Sequence, residues 1–199
     1  RSTLFPYTTL FRSTNLIVVT GLGALTPIGN NTAETWESLQ KGVSGAGPIT
    51  QFDASKFKTQ FACEVKGFDP LQYFDRKEVR KYDRYAQLSL VAATEAVTDS
   101  ALDLEKEDLN RIGVIFAAGI GGIRSFEDEV RDYDPERGPR FNPFFIPKII
   151  ADIAAGHISM KYGFRGPNFA TVSACASSTN AIADAFNYIR KFVDRKSVV

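Results

Sequence analysis

Three apolar runs mark the chain, and a helical spacing of apolar positions follows each. Leu16-Ile-Val-Val-Thr20 has no alternation, the pattern of a strand buried in a sheet covered on both faces. Arg111-Ile-Gly-Val-Ile-Phe-Ala-Ala118 repeats it, and Phe169, Ala170 and Val172 mark the end of a third strand. Thr35 to Leu39 reads as a first helix around Trp36, with Thr32 as its cap. An alanine-rich helix is expected from about Arg84 to Ser100, and another from Ile123 to Tyr133. Pro143-Phe-Phe-Ile-Pro147 introduces a helix that turns Ile149, Ile150, Ile153, Ala154 and Ile158 to the core. The last helix carries Ile182, Ala185, Phe186 and Ile189, spaced by three and four. Strands alternating with helices predict an α/β fold.

Other stretches are less regular. Gly42 to Pro48 is a glycine-rich loop, and residues 50–75 scatter aromatics among turn formers, with a short strand near Phe61 to Val65. Asp75 to Arg84 has helical spacing. It sets Lys77, Arg80, Lys81 and Arg84 on one face and Val79, Tyr82 and Ala86 on another. By composition alone the basic face is a solvated one. Gly21-Leu-Gly23 is not a dinucleotide loop, because Thr26 stands at the third glycine position and Pro27 follows. Glu127, Asp128, Glu129, Asp132 and Asp134 lack the spacing of a calcium loop and read as a solvated helix face; no metal is expected.

Composition narrows the classes. The 199 residues are 44% apolar and 24% charged, as in an ordinary soluble protein. A net charge of +1 gives no global pull toward nucleic acid or membrane, so neither is expected as a partner and any docking surface must be local. Cys63 and Cys175 show neither disulfide nor zinc spacing, which fits a reducing cytoplasm. Cys63 lies in an alternating edge-strand pattern and reads as structural. His157, the only histidine, lies inside a helix and reads as a structural polar residue. Residues 1–14 and 194–199 are read as a non-native leader and tail, leaving residues 15–193 for the fold.

Cys175 is the candidate nucleophile. It follows a buried strand, sits among small residues in Ala170-Thr-Val-Ser-Ala-Cys-Ala-Ser-Ser-Thr179, and precedes a helix. A nucleophile between strand and helix is exposed on a sharp turn at the end of a sheet. Free N–H groups at the helix start favour a thiolate there. A lone cysteine is more often buried and inert, but the strand–turn–helix setting outweighs that reading.

Val172-Ser-Ala-Cys-Ala-Ser-Ser-Thr-Asn-Ala181 resembles the active-site motif of the β-ketoacyl-acyl-carrier-protein synthases, the condensing enzymes of fatty-acid synthesis. Val18-Val-Thr-Gly-Leu-Gly-Ala-Leu-Thr-Pro-Ile-Gly29, Gly119-Ile-Gly-Gly122 and Asn142-Pro-Phe-Phe-Ile-Pro147 resemble further motifs of the synthase II group, in the family's order. The likeness runs from about Asn15 to about Phe192; Asn180 stands where family members often carry histidine. It implies a thiolase-like layered αβαβα architecture, of which this chain is the first of two pseudo-equivalent halves, ending after the nucleophile helix. It further implies that Cys175 takes an acyl group from acyl carrier protein and condenses it with malonyl-carrier protein. Ile120 and Phe145 would line the acyl pocket, although apolar burial alone would explain them equally well. Lys77, Arg80, Lys81 and Arg140 would dock the acidic carrier. No cofactor is implied beyond the carrier's phosphopantetheine arm. The intact enzyme is expected to be a homodimer. The two histidines that serve decarboxylation belong to the second half, so the chain alone is expected to be inactive. A polyketide ketosynthase, a thiolase-type condensing enzyme and a non-catalytic truncated lobe are the alternatives.

Overall fold

The computed structural model describes residues 17–138, 140–191 and 196–198. The leader assigned to residues 1–14 lies outside the described residues, as do 194, 195 and 199 of the assigned tail. Along the chain come α1 (Thr32–Gln40), β1 (Gly47–Pro48), β2 (Phe61–Ala62), α2 (Arg76–Lys81), α3 (Arg84–Asp99) and β3 (Ile112–Ala117). Then follow α4 (Ile123–Arg131), α5 (Phe145–Ile149), α6 (Ile153–Tyr162), β4 (Asn168–Thr171), α7 (Ser177–Lys191) and β5 (Lys196–Val198). β1 and β2 form an antiparallel pair. The main sheet has the order β4-β3-β5 and is parallel throughout.

β3 explains its own continuous hydrophobicity. Ile112 and Val114 pack with Leu90 and Val97 of α3 and with Ala155 and Ile158 of α6. Ile115, on the alternate face, packs with Ala181 and Ala185 of α7. Successive strand residues therefore meet different helices, and the result is three layers with the sheet in the middle. Full burial of an Ile or Val contributes about 1.5–3 kcal/mol each, so β3 is the energetic centre of the described chain.

Several expected elements differ. Residues 17–20 form no strand, and Val18 and Val19 are exposed. β4 and β5 take the two edges of β3, so the segment after residue 20 is tied to α3 instead. Leu22 N donates to Asp99 Oδ2 (2.8 Å) and Ala24 N to Glu95 Oε2 (2.9 Å). Gly23 permits this approach, since a Cβ there would come within 1.9 Å of Ala92 O. Asn31, not Thr32, caps α1, accepting from Glu34 N. β2 is confined to Phe61–Ala62, and Cys63 beyond it is exposed rather than structural core.

The helix expected over Asp75 to Arg84 is broken at Tyr82, whose backbone is extended. Asp75 and Glu78 form a capping box at the start of α2, while Asp83 starts α3 afresh. Arg84 therefore belongs to a different helix from Lys77, Arg80 and Lys81. The helix expected after Pro143 is likewise two, α5 and α6, parted at the extended Ile150, where the Tyr85 hydroxyl donates to the Ile150 carbonyl (2.6 Å). α7 turns Ser177, Ala181 and Ala185 to the core, leaving Ile182 61% and Phe186 46% exposed. Small side chains let that helix sit close against β3 and β4. Lys196–Val198, set aside in the sequence reading, extend the sheet along β3.

Candidate active site

β4 ends at Thr171, and α7 begins at Ser177. Between them the backbone reverses through a single 3-10 turn, Ala174–Ala176, with Cys175 exposed in it. Ala174 has φ of 51°, in the left-handed region. For a residue with a Cβ this costs about 1–2 kcal/mol and persists only where neighbours impose it. Ser177, 3% exposed, is packed against this turn. Its Oγ accepts from Ser173 N (2.8 Å) and donates to Ala174 O (2.7 Å), which also accepts from Ser177 N. Thr171 Oγ1 donates to Ser177 O (2.8 Å), fastening the end of β4 to the first turn of α7. Asn180 Nδ2 donates to Ser173 Oγ (2.6 Å). Nothing in the motif alone marks Ser177 as the residue that ties the turn together. Its sequence signal is a hydroxyl at the head of a helix, one turn before the buried Ala181.

Because β3 and β4 are parallel, their carboxyl ends lie side by side, where open α/β sheets place ligands. Ala118 N donates to Thr171 O (3.3 Å), and a Cβ on Gly119 would lie 4.0 Å from Ala174 O. The Gly119–Gly122 loop therefore borders the Cys175 turn. Its other side rests on the end of α5, where a Cβ on Gly122 would meet Lys148 O at 2.1 Å. Ile120, 65% exposed, lines a cleft of about 420 Å³ with Leu25, Tyr85, Leu88 and Phe116. Burial holds the Tyr85 phenol well above its usual pKa, so it stays a donor. Phe145 does not line that cleft. Its ring stacks between Phe126 (6.1 Å) and Phe141 (5.9 Å) in a row that continues to Tyr133.

The basic residues are also divided. Lys77, Arg80 and Lys81 are exposed on α2, and Arg140 is exposed in the loop before α5. Lys81 reaches toward α5, its ammonium 5.7 Å from the centre of the Phe144 ring. The acidic residues of α4 are engaged locally: Glu127 pairs with Arg131, Asp128 with Arg124 and Arg131, and Glu129 accepts from Asn142 N. Among the described residues, no cluster of three or more His, Cys, Asp or Glu is arranged to hold a metal ion. His157 packs 4.4 Å from the Tyr82 ring with Nε2 buried and unpartnered, and burial lowers its pKa.

An exposed thiol on a strained turn, between a parallel edge strand and a helix, marks an α/β domain, and the ketosynthase structures that it matches give it the thiolase-like fold. More particularly, the chain belongs to the family described as Beta-ketoacyl synthase, N-terminal domain, whose profile matches residues 14–192. It is 44% identical over 176 residues to 3-oxoacyl-[acyl-carrier-protein] synthase 2 of Staphylococcus aureus (strain COL), covering 88% of this chain and 42% of that protein. It is 43% identical over 175 residues to the protein of the same name from Synechocystis sp. (strain ATCC 27184 / PCC 6803 / Kazusa), covering 87% and 42%. Among solved structures, a type II polyketide synthase ketosynthase in complex with its acyl-carrier protein matches with a TM-score of 0.71 and 28% identity, over 88% of this chain and 47% of that one. The chain thus spans less than half the length of the relatives it matches.

Proposed function

We propose that the chain is the nucleophile-bearing half of a fatty-acid β-ketoacyl-acyl-carrier-protein synthase, working in the cytoplasm. The exposed Cys175, on a left-handed turn at the carboxyl ends of two parallel strands, carries this reading. The Cys175 thiolate attacks the thioester carbonyl of acyl-carrier protein. The C–S bond to the phosphopantetheine arm breaks, that arm leaves as a thiolate that takes up the proton Cys175 had released to solvent, and the acyl group stays on Cys175 as a new thioester. One thioester replaces another, so the acyl carbon remains electrophilic. The Cys175 amide serves as one oxyanion donor, and residues beyond this chain complete the decarboxylation of malonyl-carrier protein. The carrier's arm is the only prosthetic group required. Ile120 lines the acyl cleft. Lys77, Arg80, Lys81 and Arg140 dock the acidic carrier.

A polyketide ketosynthase is the second reading, favoured by the polyketide synthase structure at 28% identity. The 44% identity to a 3-oxoacyl-carrier-protein synthase favours the fatty-acid reading over it. A homodimer is supported by β4, which stands at one end of the sheet order, and by Val172, Ile182 and Phe186, whose apolar surface is exposed beside it. Among the described residues, no helix is long and apolar enough to cross a membrane. The test is to present acyl-carrier protein to the protein and map the acyl adduct by mass spectrometry. The adduct is expected on Cys175; an adduct mainly on Cys63 overturns the assignment.

A further inference from the structure

We infer that Ser177 is a positioning residue for the nucleophile, and that its hydroxyl holds Ala174 in the left-handed conformation that presents Cys175. The inference rests on the acyl-transfer reading above and deepens it. Ser177 is nearly inaccessible, yet its side chain does not cap its own helix in the usual way. It turns back instead to both sides of the kink, accepting from Ser173 N (2.8 Å), one peptide before it, and donating to Ala174 O (2.7 Å), in the peptide that follows it. Relaxation of Ala174 to the right-handed or extended region would swing its carbonyl away from an Oγ that Ser173 N holds in place from before the kink. A second tie acts on the same turn from outside, through Asn180 Nδ2 and Ser173 Oγ (2.6 Å). A third holds the base, through Thr171 Oγ1 and Ser177 O (2.8 Å). These side-chain bonds converge on Ser173 and Ser177, which bracket Ala174 and the thiol.

The chemistry explains why such a lock is useful. Acyl transfer requires Sγ to meet the carbonyl carbon along a fixed line while the Cys175 amide faces the developing oxyanion. Both groups hang from the peptide that follows Ala174. A rotation at Ala174 moves them together and away from a substrate already seated in its cleft. Substrate affinity, which depends on the cleft and the docking face, need not change. Loss of the lock should therefore lower the rate of acylation and leave saturation by substrate unaffected.

The test uses acyl-pantetheine as donor and the full chain carrying Ser177→Ala, Ser177→Thr or Ser177→Ala combined with Ala174→Gly. Acylation of Cys175 is followed by intact-mass spectrometry across donor concentration, with iodoacetamide alkylation of Cys175 followed in parallel. Ser177→Ala should lower the maximal acylation rate by about tenfold to a hundredfold, the range for an ångström-scale misplacement of a reacting group. Its half-saturating donor concentration should stay within about twofold of the parent, because uniform binding is untouched. Ser177→Thr keeps the hydroxyl and should retain most of the rate. Adding Ala174→Gly to Ser177→Ala should recover most of the loss, because glycine holds a positive φ without the lock. A merely structural serine predicts no such recovery. Parent-like acylation by Ser177→Ala overturns the inference, as does a loss that Ala174→Gly fails to recover. A parent chain that is alkylated at Cys175, with the same dependence on Ser177, but is never acylated leaves the lock standing and refutes the acyl-transfer reading instead.

Discussion

Replacing Asp83 with alanine should destabilise the protein through two helices at once. The Asp83 side chain is buried at 7% exposure, and its two oxygens serve different elements. Oδ1 accepts from Tyr85 N (3.0 Å) at the start of α3. Oδ2 accepts from Ser125 Oγ (2.6 Å) and Ser125 N (3.3 Å) in the first turn of α4. Losing the cap of α3 costs about 1 kcal/mol. Losing the bonds to Ser125 costs about 1.5–3 kcal/mol, because a carboxylate is the acceptor and the freed groups are partly buried. The expected total is about 2.5–4 kcal/mol, read as a fall in the urea midpoint at constant slope by circular dichroism. A double-mutant cycle with Ser125→Ala isolates the link. The combined loss should fall short of the sum of the single losses by about 1 kcal/mol, the share counted in both. Amide exchange should also quicken at Phe126 and its neighbours, since α4 carries the Gly119–Gly122 loop at its head. A loss under about 1 kcal/mol, or strict additivity with Ser125→Ala, would refute the bridge between α3 and α4.

Two further outcomes are open to measurement. Charge reversal at Lys77 and Arg80 should raise KM for acyl-carrier protein more than KM for acyl-pantetheine, and should flatten the salt dependence; equal losses with both donors would exclude a docking role. His157 has its pKa lowered by burial, so between its folded and unfolded values the unfolded chain binds more protons. Stability should therefore be unaffected by His157 above its ordinary pKa of 6.5 and should decline as pH falls below it. Replacing His157 with Phe should reduce that decline in melting temperature, and an unchanged pH profile would show that the imidazole does not contribute.

The readable parts of the sequence were those set by local pattern. β3 was evident because both its faces are covered, which leaves an unbroken apolar run. α3 was evident from sixteen residues with good helix formers and no breaker. The Cys175 turn was legible because small residues, a strand end and a helix start coincide there. What escaped depended on distant partners. Tyr82 and Ile150 break helices whose spacing would have allowed them to continue. Asp83 can restart the chain as α3 because Ser125, 42 positions away, satisfies its second oxygen. Ile150 is extended where Tyr85 of α3 takes hold of its carbonyl. Residues 17–20 have the composition of a buried strand, but composition cannot say whether an edge of β3 is free to receive them.

α7 shows how such an ambiguity reaches the site. Its sequence carries two overlapping stripes, one of Ser177, Ala181 and Ala185 and one of Ile182 and Phe186. Periodicity alone favours the larger side chains for the core, since each would remove more apolar area from water. The sheet favours the smaller ones, because close approach of the helix to β3 and β4 fills the interface with backbone and β-methyl contacts instead. The stripes differ by one residue, which is about 100° of rotation about the helix axis. If Ile182 and Phe186 faced the strands, Ser177 would rotate by the same angle. Its hydroxyl would leave Ser173 N and Ala174 O, and the left-handed turn would lose its lock. The helix face that packs on the sheet and the residue that orients the thiol are therefore one choice. Enlarging the inner stripe, as in Ala181→Leu, should disturb the nucleophile as well as the core.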